Sequence, residues 1–169
     1  VVRLGGGREF LARVLQEEVD LVFNIAEGLG SYRSREAQVP STLEMLGIPY
    51  TASDPQCLAI CLDKPLTKKL VALAGVRTPP WQVVSNSRQL EEAGWENFPF
   101  PAFVKPAYEG SSKGIRLSSR VEDVAQLGRA VALILKEYRQ PALVEQFVAG
   151  DDVTVAVVGN TPPRVLGIM

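Results

Sequence analysis

Histidine is entirely absent from the 169 residues, and its absence excludes several kinds of active site. No Ser-His-Asp or Cys-His nucleophile system can be built, and no zinc ion can be held by imidazole. Chemistry must instead rest on Lys, Ser, Asp, Glu and backbone groups. This set suits the handling of phosphate, because ammonium, hydroxyl and N–H groups all bind phosphate oxygens.

Cysteines, long apolar runs and excess charge are also scarce. Cys57 and Cys61 are the only cysteines, and their spacing in a helix-prone stretch predicts two small buried groups rather than a metal site. No apolar run approaches the roughly 20 residues that cross a bilayer, and the first residues lack the layout of a signal peptide. With a net charge of −1, we expect a cytoplasmic protein that binds neither membrane nor nucleic acid.

The first half of the chain has the pattern helix, strand, helix, strand. The apolar run at 20–26 predicts a buried strand, a second helix should end at Gly47, and a short strand should follow at 48–51. One face of an opening helix over 8–17 is apolar and carries Phe10, Leu11, Val14 and Leu15. This order predicts a piece of a parallel α/β layer.

A candidate domain boundary follows the next helix. Asp63 can cap that helix, which should run to about Ala74. The stiff segment Thr78-Pro-Pro80 comes next. We therefore predict a partial N-terminal α/β lobe with its linking helix at 1–77, and a second domain at 78–169.

The second region has the pattern of a largely antiparallel sheet with helices on one face, an α+β arrangement. Ser87 should cap a short helix, and a longer helix follows residue 121. That longer helix presents one apolar face, formed by Val121, Val124, Leu127, Val131, Leu135 and Tyr138. Strands are predicted at 81–84, 100–106, 115–118, 142–148, 153–158 and 164–169.

The stretch that says most about chemistry is Phe103-Val-Lys-Pro-Ala-Tyr-Glu-Gly-Ser-Ser-Lys-Gly114. Lys105 lies at the end of an apolar strand, where a buried ammonium ion requires an anionic partner. In the loop that follows, glycines and serines let backbone N–H groups and hydroxyls surround phosphate oxygens. The spacing fits neither a Walker P-loop nor a dinucleotide fingerprint. A solvated hairpin whose lysine reaches the surface is the alternative.

Two further motifs could serve the same ligand. Leu143 to Thr154 is predicted as strand, turn, strand, with Glu145 and Asp152 flanking an apolar wall where a carboxylate could accept ribose hydroxyls. Asp63 to Lys69 places lysines at a helix N-terminus, against the helix dipole, and a bound polyphosphate would remove that conflict. The alternatives are an exposed acidic hairpin and a solvated basic helix end.

In their order and spacing, the three motifs resemble ATP-grasp ligases, specifically D-alanine–D-alanine ligases. They are Leu62-Asp-Lys64…Thr67-Lys68, Val104-Lys-Pro106…Glu109-Gly-Ser-Ser-x-Gly114 and Val144-Glu-Gln-Phe147…Gly150-x-Asp152-x-Thr154. The upstream stretches Val22 to Gly28 and Leu43 to Thr51 resemble the same family. The resemblance implies that 78–169 is the N-terminal subdomain of an ATP-grasp fold, which binds the nucleotide.

The resemblance also implies roles for particular positions. Two lysines and a loop of small residues would hold the ATP phosphates, namely Lys64, Lys105 and the loop that runs from Glu109 and Gly110 to Gly114. Ser111 and Ser112 would donate hydrogen bonds to phosphate or substrate oxygens. The adenine edge would be read by the strand Glu145-Gln146-Phe147-Val148, with Asp152 on the ribose hydroxyls.

The implied reaction joins a carboxylate to an amine through an acyl phosphate, with ATP and Mg²⁺ as cofactors and small amino acids or peptides as substrates. Asp152 stands where the family usually has Glu, and the loop from Glu27 to Arg35 lacks the family's His-Gly and Gly-Glu-Asp-Gly pattern. A ligase for a different amino acid or peptide and a non-catalytic nucleotide-binding module are therefore the alternatives.

The resemblance places the magnesium ligands in a later segment, so we predict no metal ligand among the 169 residues. We expect a fragment that binds ATP weakly and shows no turnover. A homodimer is possible, since an uncovered apolar face favours self-association.

Overall fold

The structure, a computed structural model, describes all 169 residues. Its secondary structure falls into two stretches, the first helical and the second a mixture of helices and strands. Before residue 75 there are four helices: α1 (Arg8–Gln16), α2 (Gln38–Leu46), α3 (Pro55–Leu62) and α4 (Lys64–Leu73). After residue 80 come β1 (Trp81–Val84), α5 (Ser87–Glu92), β2 (Ala102–Pro106), β3 (Arg120–Val121), α6 (Val124–Glu137), β4 (Ala142–Gln146), β5 (Val155–Val158) and β6 (Arg164–Ile168).

The centre of the second stretch is a four-stranded sheet with the order β1-β4-β2-β3. Every pairing in it is antiparallel, as predicted, and Val104 on β2 lies opposite Val144 on β4. Helix α6 begins where the Asp123 carboxylate accepts a hydrogen bond from the Gln126 N–H at 2.8 Å. Its buried residues recur at helical spacing and pack on the sheet, so sheet and helix share one hydrophobic core.

A second, smaller core lies among the N-terminal helices and contains Leu4, Phe10, Val14, Val39 and Leu43. Helix α2 ends as predicted at Gly47, which has a φ of 68°, a value that suits glycine because it lacks a Cβ. Leu11 and Leu15, predicted on the buried face of α1, are instead exposed. Only residues four apart on α1, Phe10 and Val14, reach this core.

The N-terminal strands form less than the sequence predicts. One parallel bridge joins Val22 to Tyr50, with hydrogen bonds of 2.9 Å from the Val22 N–H to the Pro49 carbonyl and from the Thr51 N–H to the Val22 carbonyl. A strand requires a neighbouring ladder to satisfy its backbone groups. With a single bridge, the architecture is mixed α/β with antiparallel sheets, and a parallel lobe stays a prediction.

Three local predictions were wrong. Cys57 and Cys61 do lie on one helix, α3, with their Sγ atoms 3.9 Å apart, but both are exposed rather than buried. Asn86, not Ser87, caps α5, because the Asn86 side chain accepts from the Gln89 N–H at 2.9 Å. The strand expected at 115–118 is replaced by a short 3₁₀ turn before the two-residue β3.

Strands β5 and β6 pair only with each other and form a separate ribbon. The strand–turn–strand predicted for Leu143 to Thr154 is therefore wrong as a hairpin, because β4 ends at Gln146 and pairs with β1 and β2. Every residue of the ribbon is exposed. None of the helices combines the length and apolarity that crossing a membrane demands.

Candidate functional site

The candidate site begins at the tight junction between α3 and α4. Asp63 caps α4 by accepting a hydrogen bond from the Leu66 N–H at 3.1 Å, as the sequence predicts. The next residue, Lys64, is fixed at both ends, because its backbone N–H donates to the Ala107 carbonyl at 3.1 Å and its Nζ donates to the Glu109 carbonyl. The start of α4 is thereby held against the segment that leaves β2.

A cavity of about 100 Å³ opens beside this junction. Six of the residues that the sequence predicted as functional line it together: Lys64, Lys105, Glu109, Gly110, Ser111 and Ser112. Lys113, Pro106 and Ile115 complete its wall. Two lysines from separate elements and the glycine–serine loop thus face one space, which we call the lysine cleft.

Lys64 and Lys105 repel each other across the lysine cleft. The pKa of Lys64 lies below its ordinary value, first because burial disfavours the ammonium ion and second because of the positive charge of Lys105. Glu36 and Glu109 oppose this shift without cancelling it. An anion bound in the cleft would relieve both the repulsion and the lost hydration.

A chain of ion pairs connects the lysine cleft to the sheet. Lys105 contacts Glu145 on β4, and the second oxygen of Glu145 accepts from Lys68 at 2.8 Å. Lys68 also contacts the Thr78 hydroxyl. Burial alone would raise the pKa of Glu145, but the hydrogen bonds and charges of Lys105 and Lys68 outweigh it and hold that pKa below its ordinary value.

The glycine–serine loop is compact and has left-handed backbone positions. Ser111 and Ser112 have φ values of 47° and 58°, which are uncommon for residues other than glycine. A Cβ on Gly114 would lie 2.4 Å from Pro106 Cγ, so only glycine fits there. The Ser111 hydroxyl donates to the Glu27 carboxylate at 2.5 Å, which brings the N-terminal region to the edge of the loop.

The other predicted residues do not line the lysine cleft. Glu145 reaches it only through Lys105, and the backbone N–H groups of Gln146 and Phe147 donate to the Pro80 and Pro101 carbonyls.

The Phe147 ring lies under the Arg120 guanidinium, with its centroid 4.8 Å from Cζ. Val148 is exposed. Asp152 is exposed in the irregular segment before β5, and it is not among the residues that line the cleft. The predicted adenine wall and ribose acid are therefore not assembled around the lysines in this structure.

Three residues beside the site were missed as site residues. Lys68, the second partner of Glu145, was part of the basic motif, and its spacing of four residues from Lys64 on one helix face was the available signal. Arg35 and Gln140 both contact the Glu109 carboxylate, at 3.0 Å and 2.8 Å. They are 105 residues apart in sequence, and no local pattern joins them.

No three Cys, Asp or Glu side chains come together in a group that could hold a metal ion. Magnesium prefers carboxylate oxygens in octahedral geometry. The structure therefore shows no cluster of protein ligands for Mg²⁺, and no step of the chemistry below is derived through one.

Comparison with known proteins places this arrangement in a family. A family model described as the C-terminus of D-ala D-ala ligase matches residues 70–169. Among curated proteins, the uncharacterized protein y4sG of Sinorhizobium fredii is 39% identical over 86% of this chain and 41% of its own length. The D-alanine–D-alanine ligase of Aquifex aeolicus is 33% identical over 93% of this chain and 51% of its own length.

Solved structures agree in fold. The VanG D-Ala:D-Ser ligase of Enterococcus faecalis matches with a TM-score of 0.73 and 31% identity over 90% of this chain and 43% of that one. The D-alanine–D-alanine ligase of Bacillus anthracis complexed with ATP matches with a TM-score of 0.64 and 25% identity, over 87% of this chain and 46% of that one. The chain thus spans about half the length of the relatives that it matches.

Proposed function

This chain belongs to the D-alanine–D-alanine ligase family, and on that premise we propose that it supplies the ATP phosphate site of an ATP-dependent carboxylate–amine ligase. One observation carries the proposal: Lys64 from α4, Lys105 from β2 and the loop 109–114 surround one cavity. Cations from separate elements beside a loop rich in glycine and serine form an arrangement that binds a polyphosphate. The lowered pKa of Lys64 agrees with this role, because burial and the charge of Lys105 both disfavour the ammonium ion and a bound anion would stabilise it.

Each wall of the lysine cleft has a proposed role. Lys64 and Lys105 neutralise phosphate oxygens, and each charge-assisted contact contributes about 1.5–3 kcal/mol. Ser111 and Ser112 donate to phosphate or substrate oxygens. Phosphoryl transfer depends mainly on positioning and on neutralising the charge that develops, so these groups act without any change of their own covalent bonds.

The nucleoside end of ATP is assigned by family resemblance. We propose that the segment from Glu145 to Val148 borders the adenine, with Phe147 and Val148 beside the ring and Asp152 on the ribose. Glu145 is ion-paired with Lys105, which supports a continuous path from the phosphates to this segment. Asp152 is exposed in the segment before β5, so its place on the ribose rests on the family resemblance alone.

The proposed reaction has two steps. A substrate carboxylate attacks the γ-phosphorus of ATP and ADP leaves, which gives an acyl phosphate. An amine then attacks the acyl carbon, phosphate leaves with the bonding electrons, the amine loses a proton, and an amide remains. Mg²⁺ would neutralise charge on the phosphate oxygens. The structure shows no cluster of three side chains that would hold it.

A second candidate function, a ligase that acts on another amino acid or peptide, has support from the residues at the edge of the loop. Glu27 contacts Ser111, and Arg35 is buried against Glu109, at positions where the family's His-Gly and Gly-Glu-Asp-Gly pattern is absent. Different charges at this edge favour a ligase for another amino acid or peptide. A phosphate-release screen of amino acids separates the two candidates by which substrate turns over.

A cytoplasmic location, the division at residues 77 and 78 and a homodimer remain proposals. The two separate hydrophobic cores support the domain division. ATP is a cytoplasmic metabolite in the proposed role, and both cysteines are free. The exposed apolar residues of the β5–β6 ribbon are the surface on which a dimer could form.

Calorimetric titration with ATP tests the phosphate site. Lys105→Met should weaken ATP binding roughly 10- to 150-fold, since it removes one charge-assisted contact. Lys69→Met is the matched control, because Lys69 is an exposed lysine on the same helix as Lys64. Equal ATP affinity of the wild type and Lys105→Met, or no ATP binding by the wild type at millimolar nucleotide, would contradict the proposal.

A further inference from the structure

The Glu109 carboxylate is the most enclosed charge beside the lysine cleft, and three side chains hold it. One oxygen accepts from the Arg35 guanidinium at 3.0 Å and from Lys113 at 3.2 Å. The other oxygen accepts from the Gln140 amide at 2.8 Å. Side chains of Arg35 and Glu109 are only 5% and 4% exposed, whereas Lys113 is 58% exposed. The buried partners of Glu109 are therefore Arg35 and Gln140.

The three partners of this contact come from distant parts of the chain. Arg35 lies in the short 3₁₀ turn before α2, Glu109 opens the glycine–serine loop, and Gln140 lies between α6 and β4. Gln140 also accepts from the Tyr108 N–H at 2.6 Å. Arg35 also donates to the Tyr108 carbonyl at 2.7 Å. Arg35 and Gln140 therefore each bind the start of the loop twice, at the Tyr108 backbone and at the Glu109 carboxylate.

We propose that Arg35, acting with Gln140, is a positioning residue that sets the conformation of the phosphate-binding loop 109–114 without contacting the nucleotide. The proposal rests on the proposed function only in taking ATP as the nucleotide that the loop binds. Arg35 and Gln140 are not among the residues that line the lysine cleft, whereas Glu109 is. Their influence must therefore pass through Glu109 and Tyr108.

The physical reason is the cost of an unpaired buried charge. A carboxylate as enclosed as that of Glu109 is stable only with its hydrogen bonds made, and no buried side-chain polar atom in the structure lacks a partner. Loss of the Arg35 guanidinium would drive Glu109 toward solvent or toward Lys64 and Lys113. Either movement displaces the Glu109 carbonyl, which is the acceptor of the Lys64 ammonium.

Glu36, the residue after Arg35, also lies against the phosphate-binding loop 109–114. A Cβ placed on Gly110 would lie 2.9 Å from the Glu36 Oε1 atom, so Glu36 packs directly on the loop backbone. Burial raises the pKa of Glu36, with Glu27 and Glu109 adding to the shift and Arg35 opposing it. The charge of Arg35 thus acts on two carboxylates beside the loop, those of Glu36 and Glu109.

The contacts of Arg35 and Gln140 with Tyr108 and Glu109 form what we call the Glu109 brace. Amide hydrogen exchange tests the brace without nucleotide. The loop offers two reporters, because the Lys113 N–H bonds the Gly110 carbonyl at 2.9 Å and the Ile115 N–H bonds the Ser112 carbonyl at 3.0 Å. Arg35→Met should speed exchange at both amides about tenfold or more, relative to amides of β2. Gln140→Leu should also speed exchange at both amides, because it removes the hydrogen bonds of Gln140 to Tyr108 and Glu109.

Arg88→Met is the matched control. Arg88 forms an exposed pair with Glu92 at 2.7 Å on α5 and lies outside the lysine cleft. It should leave exchange at Lys113 and Ile115 unchanged. Arg35→Lys keeps the charge but not both hydrogen bonds, and it should give an intermediate rate. That conservative variant also decides the question if Arg35→Met does not fold.

ATP affinity gives the second readout. Arg35→Met should weaken ATP binding about tenfold or more, and Arg35→Lys should restore part of it. Unchanged exchange at Lys113 and Ile115 in both Arg35 variants would overturn the brace, whatever the nucleotide affinity. Faster exchange in a protein that binds no ATP would support the brace and refute the phosphate site, so the two failures are distinguishable.

Discussion

The four-stranded sheet and the β5–β6 ribbon are built from similar residues but have opposite environments. Strand β4 (Ala-Leu-Val-Glu-Gln) has its first three residues fully buried, whereas β5 (Val-Ala-Val-Val) is exposed along its whole length. The sheet is covered by α6 and continues its hydrogen bonds across four strands. The ribbon has one pairing and no covering layer.

The comparison shows that apolar composition does not determine burial. A two-stranded ribbon buries little by itself, and stability in β structure comes from a third strand or a packed helix. The sheet also orders charged side chains, because Lys68 and Lys105 both pair with Glu145 at its end. The sheet can therefore present an ordered site, whereas the ribbon contributes no structured wall to it.

Truncating one leucine in each region should give the largest contrast. Leu127→Ala removes a fully buried side chain of α6 and should destabilise the protein by about 2–5 kcal/mol. Leu166→Ala removes a leucine of β6 that is 61% exposed and should cost less than about 0.5 kcal/mol. Urea unfolding measures both. Equal losses would show that the ribbon is packed in solution and would break the comparison.

The charged end of the sheet should show a smaller effect that depends on pH. Glu145→Gln should cost about 1–3 kcal/mol at pH 7, because Lys68 and Lys105 lose a buried charged acceptor. The folded pKa of Glu145 is depressed, so its contribution is complete above the unfolded pKa of about 4.3 and is lost as pH falls through the folded pKa.

Urea unfolding from pH 6 to pH 3 measures this dependence. The difference in free energy of unfolding between the wild type and Glu145→Gln should shrink as pH falls. Glu137→Gln is the control, since Glu137 pairs with Arg116 where both side chains are well exposed. A difference that stays constant with pH would contradict the charged network.

The smallest effect on folding is expected from the ribbon surface. Val157→Lys changes a side chain that is 57% exposed and should alter the free energy of unfolding by less than about 0.5 kcal/mol. It should also reduce self-association at high protein concentration, because it interrupts an apolar surface. Sedimentation velocity checks this, with Thr154→Lys as a control that adds the same charge without removing apolar area. Stronger association of Val157→Lys would contradict the prediction.

Prediction from sequence succeeded where the signal is local. The Asp63 cap, the end of α2 at Gly47 and the antiparallel sheet follow from short patterns. Apart from the cap of α5, which is Asn86 and not the predicted Ser87, it failed where a partner distant in the sequence decides the outcome. The strand expected at 20–26 became a single bridge to Tyr50, and the hairpin expected after Glu145 did not pair.

The candidate site divides in the same way. Lys64, Lys105 and the glycine–serine loop were named from the sequence because each lies in a motif with recognisable residue types. Arg35 and Gln140 were not named, because neither belongs to a chemical pattern and their only signal is a shared contact with Glu109. A contact between residues 35, 109 and 140 depends on packing of the whole chain.

By itself, the sequence determined the chemical groups and their local conformations: no imidazole, two lysines at element boundaries, and a loop rich in glycine and serine. Backbone preference and hydrophobic period act over a few residues, so these features need no distant partner. Only the tertiary structure decided that both lysines face one cavity, that Arg35 encloses Glu109, and that the ribbon stays uncovered. Burial and charge pairing depend on distances between residues far apart in the chain, and only the packed fold sets those distances.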